Sequence, residues 1–174
     1  MPTRWTSPTN IIQYPEAGGE TIDTSWDTKN NFRELIYPST GSLQSRDFLF
    51  HSARSPKLDN RNKTYFLQIT GFNFQNLPGT LSGIEVQLDA RRYGRAQDDT
   101  IMLCLGGTGI GENHAGTEIS PQITYGSSTD LWKTNLTIVD IQDPTFGVII
   151  RFQSHPTWPH KDPVLIDSVQ LRIS

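Results

Sequence analysis

The chain reads as an all-β protein, an antiparallel β-sandwich of jelly-roll type preceded by a long irregular N-terminal region. Three observations predict this. Apolar and polar residues alternate with period two through the second half of the 174 residues, the signature of strands with one buried face. Fourteen glycines and eleven prolines punctuate the chain at turn spacing,. No long stretch carries apolar residues at the three-and-four spacing of an amphipathic helix.

The strands follow from the pattern. In SGIEVQLDARR, Ile84, Val86, Leu88 and Ala90 point one way, and Glu85, Gln87, Asp89 and Arg91 the other. The second set is expected on a wet face, with Glu85 and Asp89 as ordinary solvated acids. FGVIIRFQ places Phe146, Val148, Ile150 and Phe152 on one face, and VLIDSVQLRI turns Val169, Leu171 and Ile173 inward with Gln170 and Arg172 outward. YFLQITGFNF and TIMLCL are further strands, and ISPQITY a weaker one. Asp98 and Asp99 read as a turn before the next strand. TIVDIQD, halted by Pro144, is the best short helix. Five or six strands separated by turn clusters argue for a sandwich rather than a βαβ fold.

The first sixty residues differ. Aromatic residues (Trp5, Tyr14, Trp26, Phe32, Tyr37) alternate there with Pro, Gly, Ser, Thr and Asn, a composition that buries little per ordered residue. Residues 1–60 are therefore an extended segment packing on the sandwich or on neighbouring subunits, and residues 61–174 the sandwich itself. Phe48 and Phe50 in RDFLFHSAR point to at least one further strand within that segment.

Composition excludes several classes. Fifteen basic and eighteen acidic residues give a net charge of −3, so no global field favours nucleic acid or acidic membranes. The N-terminus has no apolar stretch of signal-peptide type, and nothing approaches the ~20 apolar residues of a membrane helix. A soluble product made in a cytosol is expected. The single cysteine, Cys104, lies in the apolar run IMLCL and reads as a small buried hydrophobe.

The stretch LCLGGTGIGENHAG invites a nucleotide reading that its register denies. Glycines at 106, 107, 109, 111 and 116 fit no G-x-G-x-x-G frame before a helix, and Gly111 is followed by Glu112 rather than by the Lys-Ser/Thr of a phosphate loop. A connection between two strands, with glycines supplying positive φ, accounts for it better. His155, His160 and Asp162 fall within a proline-broken segment that denies the histidines helical spacing, so no metal site is expected. No G-x-S-x-G elbow is present. Arg46, Arg54, Lys57, Arg61 and Lys63, with Arg91, Arg92 and Arg95, could form a basic face. Apart from Phe48 and Phe50, the stretch from Arg46 to Lys63 lacks the aromatic interleaving that single-stranded nucleic acid requires, so solvated charges or salt bridges to a neighbouring subunit are expected.

From Phe66 onward the chain resembles a family of small β-sandwich proteins encoded in tailed-bacteriophage structural gene clusters. The resemblance rests on GFNF, LSGIEVQLDARR, DDTIMLCLGG, YGSSTDLW, IQDPTFGVIIRFQ and VLIDSVQLRIS, in that order, over roughly two-thirds of the chain. Its most specific pieces are Ser82-Gly83-Ile84-Glu85-Val86 and the run from Tyr125 to Trp132. These residues also make physical sense alone. Trp132 after a turn can close one end of the sandwich with its N–H on a loop carbonyl. Asp130 can cap that turn, and Gly83 can allow a bulge or a close approach. Two departures stand out: the segment from Ser39 to Lys63 is longer than usual, and HPTWPHKDP enlarges a loop that is normally short.

The resemblance implies a non-enzymatic virion structural protein, an external subunit that decorates the head or belongs to the tail or baseplate, assembled in the host cytoplasm. Its expected partners are other virion proteins and further copies of itself as a homo-oligomer, with no cofactor, metal, nucleic acid or membrane. The alternative is a carbohydrate- or host-receptor-binding module for adsorption. Under either reading the enlarged loop carrying His155, Trp158 and His160 is the candidate contact site, because an aromatic between prolines makes a rigid anchor.

Overall fold

A computed structural model describes residues 1–15, 53–54, 63–92, 96–116, 122–153 and 164–174. Among these the chain is all-β, as expected: nine strands and a single-turn helix. The strands are β1 (Asn10–Tyr14), β2 (Ala53–Arg54), β3 (Phe66–Thr70), β4 (Ile84–Arg92) and β5 (Gln97–Leu105), then β6 (Thr108–Ile110), β7 (Ile123–Ser127), β8 (Gly147–Gln153) and β9 (Val164–Ile173). They form two antiparallel sheets, one ordered β1-β3-β8-β5-β6 and the other β2-β9-β4-β7.

Alternation places the core. Ile84, Val86, Leu88 and Ala90 of β4 and Val169, Leu171 and Ile173 of β9 are buried from one sheet. Leu67 and Ile69 of β3, Ile101 and Leu103 of β5, and Val148, Ile150 and Phe152 of β8 are buried from the other. Both sets belong to one apolar cluster, so each sheet hides its hydrophobic face against the other's.

Two β-bulges interrupt the alternation. On β5, Asp98 faces Phe152 and Thr100 faces Arg151, leaving Asp99 as the extra residue. On β9, Asp167 is extra between the pairs Asp89–Ser168 and Ala90–Ile166. A bulge inserts one residue and so reverses which neighbours face inward. The expected turn at Asp98-Asp99 is therefore corrected: both residues lie inside β5.

The glycine stretch is a hairpin. Leu105 pairs with Thr108, and the two residues between them, Gly106 and Gly107, have φ of 61° and 81°. Two successive left-handed residues make the two-residue turn that suits the twist of paired strands. Helix α1 (Ile138–Gln142) follows the TIVDIQD expectation, and its capping box pairs Thr137 with Asp140,. Hydrogen bonds to Thr137 hold the Asp140 carboxyl below its ordinary value.

Residues 3–14 strap the two sheets together. Thr3 N–H donates to the Ile173 carbonyl at 2.7 Å, and Thr6 and Leu171 exchange backbone hydrogen bonds at 2.8 and 3.0 Å. The segment then crosses to the other sheet, where β1 pairs with β3. Phe48 and Phe50 lie outside the described residues.

Candidate functional site

One end of the fold gathers Gly83, Ile84 and the run from Tyr125 to Lys133. The turn after β7 places Trp132 and Lys133 at φ of 55° and 52°, left-handed backbone that non-glycine residues adopt only where the surroundings enforce it. The enforcement is visible. Asp130 accepts the Trp132 N–H at 2.7 Å, the Asx-turn expected of it. Ile84 N–H donates to the Asp130 carbonyl at 2.9 Å. Trp132 is wholly buried, and its indole N–H donates to the Ile84 carbonyl at 2.8 Å. The acceptor thus belongs to the start of β4, not to a loop. Gly83 is needed there because a Cβ would lie 2.2 Å from the Ser128 carbonyl carbon.

The glycine-rich segment closes over this turn. Glu112 N–H donates to the Trp132 carbonyl at 2.8 Å, and Lys133 pairs with Glu112 at 2.7 Å. The His114 ring packs on the Trp132 indole with centroids 4.0 Å apart, and its Nε2 stands 3.6 Å from an Asp130 carboxylate oxygen. That separation is too long for a hydrogen bond, and among the described residues no side-chain hydroxyl donates to the imidazole. The group acts as a clasp between β5, β7 and the head of β4.

Two acidic residues on the sheets, Glu85 and Asp99, are engaged in ion pairs. Glu85 and Asp89 are only 8% and 2% exposed, which corrects their reading as solvated acids. Glu85 is shielded because Arg172, opposite it on β9, donates to both carboxylate oxygens at 2.7 and 2.8 Å. The Trp5 ring lies 4.5 Å from that guanidinium. Asp89 sits beside the β9 bulge. On the other sheet Asp99 receives Arg151 Nε at 2.6 Å and Lys63 Nζ at 2.7 Å, and Arg151 stacks on Phe66 at 4.0 Å. Burial raises the Asp99 carboxyl, but the hydrogen bonds and charges of Lys63 and Arg151 outweigh it and hold the group below the usual carboxylate range,.

Two further buried groups link elements. Tyr125 O–H donates to the Asp98 carboxylate at 2.8 Å and joins β7 to β5 across the sheets. The other Asp98 oxygen accepts the Gly116 N–H. Cys104 is fully buried, as expected, and burial pushes its thiol up to about 12.

His155, Trp158 and His160, the predicted contact loop, lie outside the described residues, as do Arg46, Lys57, Arg61 and Arg95. Lys63 is placed and serves Asp99 of its own chain. Sequence reasoning missed the Asp98–Tyr125 link and the His114–Trp132 contact. The acidic doublet in β5 was the available signal for the first, because it breaks the alternation. Among the described residues no group of three or more His, Cys, Asp or Glu is placed to hold a metal ion. No helix there is long and apolar enough to cross a membrane. No protein-family model matches the chain, and a search of curated proteins returned no match.

Proposed function

We propose that this chain is a non-enzymatic jelly-roll subunit on the outside of a tailed-phage particle, working by burying surface against neighbouring virion proteins and other copies of itself. Strand order is the observation that carries the reading. With β1 set aside as an extra edge strand beside β3, β2 taken as first and β9 as eighth, one sheet runs first–eighth–third–sixth and the other second–seventh–fourth–fifth. First pairs with eighth, second with seventh, third with sixth and fourth with fifth, the pairing of a long double ribbon rolled into two layers. Jelly rolls of this wiring serve in viral capsid and lectin domains. The fold alone does not fix a function, so the resemblance must add to it. Its most specific pieces, residues 82–86 and 125–132, coincide with the Gly83–Trp132 clasp.

Quantifying the chain in purified particles, with antibody labelling to place it, tests this reading. Incorporation at a stoichiometric, symmetry-set copy number is the expected result. Particles that lack the chain would sink the proposal. A second reading, an adsorption module for host-surface carbohydrate, is favoured by a single feature: the concavity beside the N-terminal strap.

A further inference from the structure

We propose that the concavity between residues 1–6 and the loop after β3 is a binding site for a saccharide unit bearing a carboxylate. The site has a volume of about 550 Å³, within the range of small-molecule pockets,. Arg4, Asn73, Gln75, Asn76, Thr3 and Thr6 are its polar lining residues, set in a surface that is mostly apolar.

Both walls are fixed from behind. Thr3 and Thr6 are hydrogen-bonded to β9, and Thr3 Oγ1 accepts the Ile173 N–H at 2.9 Å. In the opposing loop Phe72 and Phe74 stack on each other, and Phe74 packs against the buried Phe146. Asn73 and Gln75 alternate with those rings and stay exposed. Asn76 holds a left-handed φ of 56°, a conformation that asparagine tolerates better than most residues.

The chemistry of the lining selects the ligand. Elsewhere among the described residues several charged side chains are spent on one another, as in the Glu85–Arg172 and Asp99–Arg151 pairs. Among the described residues Arg4 and the three amides have no side-chain hydrogen bond or ion pair, and no carboxylate lines the concavity. An unpaired guanidinium offers a two-pronged fork that matches a carboxylate. Side-chain amides offer donors and acceptors together, as sugar hydroxyls require. The carbon-rich surfaces of Met1 and Pro2 complete a wall against which the apolar face of a pyranose can rest. Phosphate alone would use the amide N–H donors but leave their carbonyl oxygens without a donor, and a neutral sugar would leave Arg4 without a counter-charge.

This site deepens the adsorption reading and is independent of virion incorporation, so the two can fail separately. The test is calorimetric titration of the full chain with sialyllactose, trigalacturonate and lactose. Saturable binding of either acidic saccharide, at least about tenfold tighter than lactose, is the expected result, since a hydrogen-bonded charge pair is worth that much. Sialyllactose or trigalacturonate alone binding would identify which kind of acidic glycan supplies the carboxylate. Arg4→Gln should weaken binding about tenfold, and Asn73→Ala with Gln75→Ala should weaken it further. These side chains are exposed, so melting curves should be unchanged. Failure of both acidic saccharides to bind, lactose binding as well as they do, or an Arg4→Gln protein with unaltered affinity would each overturn the proposal.

Discussion

Replacing Trp132 by Phe keeps an aromatic ring in the clasp but removes its only donor. The Ile84 carbonyl then loses a 2.8 Å buried hydrogen bond. An orphaned buried acceptor costs about 1–3 kcal/mol. The smaller ring forfeits dispersion contacts in a site that is wholly buried, adding about 1 kcal/mol. The sum, about 2–4 kcal/mol, corresponds to a melting-point drop of about 4–16 °C for a chain this size. Urea denaturation followed by far-ultraviolet circular dichroism reads the change without depending on which of the four tryptophans reports. Trp132→Ala, which also empties the ring volume, should cost about 3–5 kcal/mol. A Trp132→Phe midpoint within about 0.5 kcal/mol of the parent, at unchanged slope, would refute the claim that the indole N–H secures the head of β4.

Three more outcomes follow from the same geometry. Gly83→Ala should destabilise the fold severely or abolish soluble expression, because its Cβ would meet Ser127 and Ser128 backbone rather than a movable side chain; a parent-like melting point would contradict that packing. The Asp99 carboxyl has a lowered folded-state pKa, so its stabilisation is complete above the ordinary carboxylate value near 4 and is lost as pH falls through the lower folded value. Asp99→Asn should therefore cost about 1–3 kcal/mol at neutral pH and flatten the acid limb of a stability-versus-pH curve; an unchanged limb would show that other carboxylates govern it. Cys104, buried with its thiol pushed up to about 12, should resist thiol reagents at pH 8 until denaturant is added, and rapid labelling of the native chain would contradict its burial.

Much of the fold was legible because β4, β8 and β9 each turn alternate apolar residues into a shared core, even though their other faces are largely covered as well. Legibility failed where one residue was inserted. Asp99 and Asp167 are bulge residues, and a bulge reverses the inward set without changing composition. The doublet Asp98-Asp99 consequently read as a turn. The burial of Glu85 could not be foreseen locally, since its partner Arg172 lies far along the chain and the covering Trp5 belongs to the strap. Asp130 capping the Trp132 turn was readable, being a contact over two residues. The indole's acceptor, 48 residues away, was not. β2 and β6, with two and three residues, are too short for a pattern to register, and β1 sets Ile11 and Ile12 side by side rather than in alternation.

The placement of β9 has a kinetic consequence. Latest in sequence among the described strands, it lies between β2 and β4, and its far half also receives Thr3 and Thr6. During synthesis the four-stranded sheet therefore waits for its middle while β4 and β7 are already outside the ribosome with apolar faces unpaired. Closure must then join residues 170 positions apart, as Thr3 and Ile173 are, which predicts slow folding, in milliseconds to seconds. Until β9 arrives, aggregation is the competing fate.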